Sequence, residues 1–134
     1  MLDTIELSKK LIEFDSVTPA KQDIFDFLIK IFKEQGFDTK QLNFDGDGSY
    51  EVINLMATYG SPQTNGKHFN FLCHVDVVPP GNIEDWDTHP LEPTIKDGYL
   101  YGRGSEDMKG CTAASMVSVF KFIKDHPDFN GTIS

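Results

Sequence analysis

Phe69-Asn70-Phe71-Leu72-Cys73-His74-Val75-Asp76 is the stretch on which the fold turns. Its nearly continuous apolar run over residues 69–75 predicts a strand covered on both faces, as in the interior of an α/β sheet. The run ends in His74 and Asp76, and Val77-Val78-Pro79-Pro80-Gly81 follows. In open α/β sheets, ligands gather beyond the carboxyl ends of strands, where loops aim side chains into a cleft. A His-x-Asp pair at such a point reads as part of a metal site. Neutral imidazole ligates through one nitrogen, while a carboxylate holds the N–H of the other and sets the tautomer. A strand-end histidine is also a common structural residue, so the tripeptide by itself leaves both readings open.

A second cluster lies on the C-terminal side. Tyr101-Gly102-Arg103-Gly104-Ser105-Glu106-Asp107-Met108-Lys109-Gly110 leads into an apolar helix predicted over 107–124. Cys111, Ala114, Met116, Val117, Phe120 and Ile123 make that helix apolar on most sides, as expected inside a layered structure. Gly102 and Gly104 permit tight turns. Asp107 falls at the predicted helix start, where it reads either as an N-cap or as a ligand kept anionic by the helix terminus. Beside the His74/Asp76 pair the ligand reading takes precedence. Between the two clusters, Lys96-Asp97-Gly98 marks a hairpin turn joining residues 94–95 to 99–101.

On the N-terminal side, Asp3 and Glu6 open a short amphipathic helix carrying Ile5, Leu7, Leu11 and Ile12, which Ser16-Val17-Thr18-Pro19 breaks. Ile24, Phe27, Leu28, Ile31 and Phe32 recur at helical spacing, and Gly36 stands at the C′ position. These apolar residues are core. Residues 37–44 and 52–59 read as strands, with a turn at 45–48 and a loop over 60–66. Gly131-Thr132-Ile133-Ser134 looks like the opening of another strand. A domain does not ordinarily stop there, so the sequence reads as a fragment.

Composition bounds the function classes. Hydrophobic residues make up 39% and charged residues 25% of the 134, an ordinary globular balance. The net charge is −9, with 21 acidic against 12 basic residues spread along the chain. Such a surface repels phosphate backbones, which argues against nucleic-acid binding. Apolar runs fall well short of a membrane span, and the first residues lack the pattern of a signal peptide. The expectation is a soluble, cytoplasmic protein. Cys73 and Cys111 form no CxxC and no disulfide framework, so each reads as a small buried hydrophobe. His68 and His126 have no paired ligand at metal spacing, whereas His89 lies in a loop close to the proposed cleft. Lys109 reads as a solvated lysine by default, with a contact to backbone or carboxylates near the site as the alternative. No GxSxG, P-loop or helix-opening GxGxxG occurs.

Taken together, Asp15-Ser16-Val17-Thr18-Pro19, the 73–81 segment, Trp86, His89-Pro90, Tyr101-Gly102-Arg103-Gly104 and Asp107-Met108-Lys109-Gly110 resemble the zinc aminoacylase and peptidase family, most of all its desuccinylase branch. The resemblance runs from Leu7 to Ser134. It departs from the branch at Val75, where threonine is common, and at Ser105-Glu106, where small residues are frequent.

The resemblance implies an α/β fold, a mixed sheet flanked by helices. Residues 1–134 would be the N-terminal part of a zinc-exopeptidase-like catalytic domain, truncated on its C-terminal side and without the lid and dimerisation domain. It also implies two zinc ions, with cobalt possible in one site. His74 would bind one zinc, Asp107 would bridge both, and Asp76 would be the catalytic-site carboxylate orienting His74. The peptide bond after Asp107 would be cis. The implied reaction is metal-assisted hydrolysis of a small N-acyl amino acid, N-succinyl-L,L-diaminopimelate, to succinate and L,L-diaminopimelate. The general base, a Glu-Glu pair after the strand that opens at Gly131, and the remaining ligands would lie outside this chain. The parent would be a homodimer. A deacetylase- or dipeptidase-like amidohydrolase, or a non-catalytic truncated remnant, are the alternatives.

Overall fold

The computed structural model describes residues 3–46, 48–60 and 66–134. The predicted loop over 60–66 and the turn at 45–48 therefore fall partly outside the described residues.

Helix α1 (Thr4–Glu13) begins where Asp3 predicts, because the Asp3 carboxylate accepts the N–H groups of Ile5 and Glu6 at 2.9 and 3.2 Å. Helix α2 (Gln22–Glu34) buries Ile24, Phe25, Leu28 and Ile31 along one face and ends just before Gly36. Strands β1 (Asp38–Asp45) and β2 (Glu51–Gly60) pair antiparallel along the whole of β1, from Asp38 opposite Thr58 to Asp45 opposite Glu51. Strand β3 (Lys67–Phe69) follows. A 3-10 turn at Ile83–Asp85 precedes the hairpin of β4 (Thr94–Lys96) and β5 (Tyr99–Tyr101). Its two turn residues, Asp97 and Gly98, have φ of 53° and 82°, the left-handed pair that a two-residue hairpin of matching twist requires. Helix α3 (Gly110–Asp125) leads to β6 (Gly131–Ile133).

The main sheet has the order β1-β2-β6-β3 and is mixed, since β6 runs antiparallel to β2 and parallel to β3. Apolar faces of α1, α2 and α3 meet the sheet in one core. At its centre the Phe37 ring lies 5.3 Å from Tyr59, 5.2 Å from Phe32 and 5.7 Å from Phe120, so one residue ties strand to both long helices. This is the α/β arrangement expected from the residues.

Four expectations need correction. Residues 70–75 do not form a strand covered on both faces: only Lys67–Phe69 pairs in the ladder, and Phe69 and Leu72 are 60% and 89% exposed. Phe71 N–H reaches the Ser134 carbonyl, but among the described residues no further strand lies beside this segment to cover it. The apolar helix starts at Gly110, not at Asp107. Residues Ser105–Lys109 form a wider turn in which Asp107 (φ −117°, ψ 98°) and Met108 are non-helical, so Asp107 is not an N-cap. Helix α3 also has a wet side, because Cys111 and Ala114 are exposed while Thr112, Ala113, Met116 and Val119 are buried. Both cysteines are accordingly exposed thiols. Cys73 lies on the uncovered segment and Cys111 on the wet face of α3.

Candidate metal centre

The uncovered segment is pinned at its far end. Val77 N–H donates to the Ser16 carbonyl at 3.0 Å and Thr18 N–H to the Val77 carbonyl at 3.1 Å, a short parallel bridge. The Ser16 hydroxyl donates to the Val75 carbonyl at 2.7 Å. The loop between α1 and α2 thereby holds the backbone on both sides of Asp76.

The second side of the site is set by the turn after β5. Gly104 takes φ 82°, and a Cβ there would stand 2.7 Å from the Val77 side chain and 3.2 Å from that of Lys109. Only glycine combines that dihedral with that approach. Lys109 is fully buried, contrary to the solvated reading, and its ammonium donates to the Phe14 carbonyl at 2.9 Å. That contact ties the residue two positions after Asp107 to the end of α1. Burial pulls the Lys109 pKa down to about 8, against the opposing pull of Asp15 and Asp23. The peptide bond between Asp107 and Met108 is cis.

These supports bring together two residues 33 positions apart. His74 Nε2 lies 3.0 Å from Asp107 Oδ1. Its Nδ1 lies 3.1 Å from the Asp76 carbonyl oxygen and 3.2 Å from Asp76 Oδ1. The main chain of His74 joins the same two halves: its N–H points at Met108 Sδ at 3.4 Å, and its carbonyl accepts from the Thr112 hydroxyl at 3.5 Å. Burial opposes a charge on His74. The Asp76 carbonyl and the Asp107 and Asp76 carboxylates outweigh it, so the His74 pKa stands above its ordinary value. An apolar groove floored by Phe25, Leu28 and Met116 opens between β2 and the uncovered segment and reaches His74 and Asp76.

The donor chemistry fits part of a zinc centre. One imidazole nitrogen with its partner nitrogen engaged, and one carboxylate 86% exposed with a second oxygen to offer, meet at a single place. Among the described residues, no group of three or more His, Cys, Asp or Glu side chains converges in this way. His74 and Asp107 are thus two candidate ligands, fewer than the three protein ligands usual for catalytic zinc.

The remaining candidates disperse. His89 Nδ1 accepts the Leu91 N–H at 3.2 Å and closes a turn. His68 contacts the Ser134 hydroxyl at 2.7 Å, and the His126 ring packs 4.9 Å from Phe122. Arg103 lies over the Trp86 ring at 5.0 Å, and Trp86 donates to the Pro80 carbonyl at 2.9 Å, bracing the loop that follows Asp76. Nothing in local spacing marks the roles of Ser16 and Thr18, whose partners lie tens of positions away, whereas for Lys109 the backbone contact is the alternative that the structure bears out over the solvated default.

Residues 71–134 match the sequence profile of Peptidase family M20/M25/M40. Over 133 residues the chain is 43% identical to a protein named succinyl-diaminopimelate desuccinylase from Wolbachia pipientis, and over 130 residues 44% identical to one of the same name from Pelagibacter ubique. These alignments take in 99% and 97% of this chain but 32% and 33% of the relatives, so the chain spans about a third of their length. Human carnosine dipeptidase 1 shares the fold with a TM-score of 0.78 at 24% identity, over 97% of this chain and 30% of that one. An M20 family metallo-carboxypeptidase from Sulfolobus solfataricus does so with a TM-score of 0.75 at 16% identity, over 99% and 30%. In sequence and in fold, therefore, the chain is related to Peptidase family M20/M25/M40 and carries about a third of the length of its relatives.

Proposed function

We propose that residues 1–134 act as the N-terminal part of a zinc-dependent catalytic domain. Its reaction is hydrolysis of N-succinyl-L,L-diaminopimelate to succinate and L,L-diaminopimelate, a step toward lysine and cell-wall precursors. The observation that carries the hydrolytic reading is the 3.0 Å meeting of His74 and Asp107 with Asp76 behind the imidazole. The choice of acyl group is supported by the names of relatives above 40% identity.

In this reading His74 would hold one zinc ion and Asp107 would help to hold two, with cobalt the alternative in one position. A metal bound there supplies Lewis acidity toward an amide carbonyl and toward water. Asp76 keeps the proton on His74 Nδ1 and so leaves the Nε2 lone pair free to ligate. Lys109 and Gly104 fix the turn that presents Asp107. The general base and the remaining ligands come from outside these 134 residues, as do the lid and the dimer contacts of a homodimeric parent. The substrate is a small N-acyl amino acid with a free α-carboxylate, met in the cytoplasm. Consistent with this, no helix among the described residues is long and apolar enough to cross a membrane.

The test uses a full-length protein carrying this chain. His74→Ala or Asp107→Ala abolishes nearly all activity and lowers bound zinc, whereas Asp76→Ala weakens metal binding by about 10- to 100-fold. An Asp107→Ala variant with undiminished turnover and two zinc ions defeats the site. A higher kcat/KM for N-acetylornithine than for N-succinyl-diaminopimelate defeats the substrate. The 134-residue chain alone, with two direct ligands and no base, hydrolyses nothing.

A further inference from the structure

We propose that Thr18 is a positioning residue of this centre, acting through Asp76 to fix the tautomer of His74; the proposal rests on the metal-site reading above. The Thr18 hydroxyl lies 2.6 Å from Asp76 Oδ2 and 3.4 Å from the Val77 carbonyl, so its single proton goes to the carboxylate. Thr18 is itself held in place, because its N–H donates to the Val77 carbonyl at 3.1 Å across the bridge between residues 17 and 77. With Oδ2 engaged, the Asp76 carboxylate cannot turn freely. Its Oδ1 stays 3.2 Å from His74 Nδ1, beside the Asp76 carbonyl at 3.1 Å.

The geometry gives that restraint a specific purpose. Neutral His74 has one ring proton and two acidic neighbours: Asp76 at Nδ1 and Asp107 at Nε2, the latter at 3.0 Å. A proton on Nε2 would block the ligating position and satisfy Asp107 instead. A proton on Nδ1 leaves Nε2 bare toward Asp107 and any cation it shares. Two acceptor oxygens presented together at Nδ1 favour the second arrangement, and only a fixed Asp76 presents both. The chain Thr18–Asp76–His74 therefore runs from the loop between the first two helices to the ligating nitrogen.

The test compares wild type, Thr18→Val (same shape, no hydroxyl) and Thr18→Ser (hydroxyl kept) in the 134-residue chain. Long-range proton–nitrogen correlation spectra of metal-free, nitrogen-labelled protein, at a pH where His74 is neutral, read the two ring tautomers. Competition titration reads zinc affinity. Wild type and Thr18→Ser should show mainly the Nδ1–H form. Thr18→Val should raise the proportion of Nε2–H at least about threefold and weaken zinc binding about 3- to 10-fold, less than loss of the carboxylate itself. If Thr18→Val fails to fold, Thr18→Ala carries the same comparison. Tautomer ratios and zinc affinities unchanged in the hydroxyl-free variants overturn the proposal, as does Thr18→Ser behaving like Thr18→Val. Zinc binding too weak to titrate is what two ligands alone predict; the metal-free tautomer ratio then decides the role of Thr18 by itself, and the metal-site reading stands or falls separately with His74→Ala in the full-length protein.

Discussion

Helix α2 and the segment 69–75 are similarly apolar in sequence, yet the fold treats them oppositely. Ile24 of α2 is wholly buried, with Leu28 and Ile31 beside it, against α3 and the sheet. Leu72 is 89% exposed, and Phe69 and Phe71 stand in the open. Apolar composition states what a segment gains from being covered; the neighbours decide whether it is covered. The helices and β1–β2 meet their partners within this chain. The segment leading to His74 is joined to β6 at one end and to the Ser16–Thr18 loop at the other, and among the described residues no further strand covers its open side. The candidate metal centre sits on the seam between these regions, with His74 on the open side and Asp107 on a turn anchored to the packed side.

The sharpest way to break that contrast is to truncate one side chain in each region. Ile24→Ala deletes atoms from the closed core and should cost about 2–5 kcal/mol, by the usual loss of transfer energy and the cavity left behind. Leu72→Ala should stay within about 0.5 kcal/mol, as surface changes do. Urea unfolding of both variants, with equal slopes, measures the pair. A loss of more than about 2 kcal/mol for Leu72→Ala would mean that the 69–75 segment is covered in solution.

A smaller effect is expected at the seam, where Lys109 is charged and buried. Its pKa of about 8 in the fold lies below the ordinary lysine value of 10.5, so between these values the unfolded chain binds more protons. Stability must then rise with pH across that window, and the penalty of burying the charge is felt in full below it. The bound set by those two values is about 3 kcal/mol. Subtracting the pH profile of Lys109→Met removes contributions from tyrosines and other groups. A difference that stays flat from pH 8 to 10.5 would show that the Lys109 ammonium reaches water.

Local patterns in the sequence predict a good part of this. The Asp3 cap, the helical spacing from Ile24 to Phe32 and the Asp97-Gly98 turn depend on residues within a few positions of one another, and all appear in the structure. Strands β1 and β2 fall within a residue of their predicted limits. The meeting of His74 and Asp107 was readable only as a strand-end motif plus a family resemblance. What escaped depends on distant partners. Lys109 is buried because a carbonyl 95 positions away receives its ammonium, and Asp76 is braced by a hydroxyl 58 positions away. The covered strand was misread for the same reason, because its periodicity cannot say whether a neighbour is present.

The smallest energetic effect, and the finest probe of the contrast, concerns what open apolar surface does when it cannot be buried within the chain. Residues 70–75 combine exposed Phe71 and Leu72 with a backbone that is paired at its ends, through Phe71 N–H to Ser134 and through His74 and Val75 to Met108, Thr112 and Ser16, while among the described residues no strand lies along its open side. An extended, apolar and largely unpaired edge is a template for strand addition by another chain, and charge on such an edge opposes that pairing. Leu72→Lys adds that charge at a side chain that touches almost nothing. It should leave the unfolding free energy of the dilute chain within about 0.5 kcal/mol while lowering self-association. Sedimentation velocity across a range of protein concentrations, run beside urea unfolding at the lowest one, separates the two quantities. Equal association of variant and wild type would place the sticky surface elsewhere, and the apolar groove between β2 and the segment would be the next face to charge. A fall in stability with no change in association would mean that Leu72 already has a partner inside the fold, erasing the difference between the two regions.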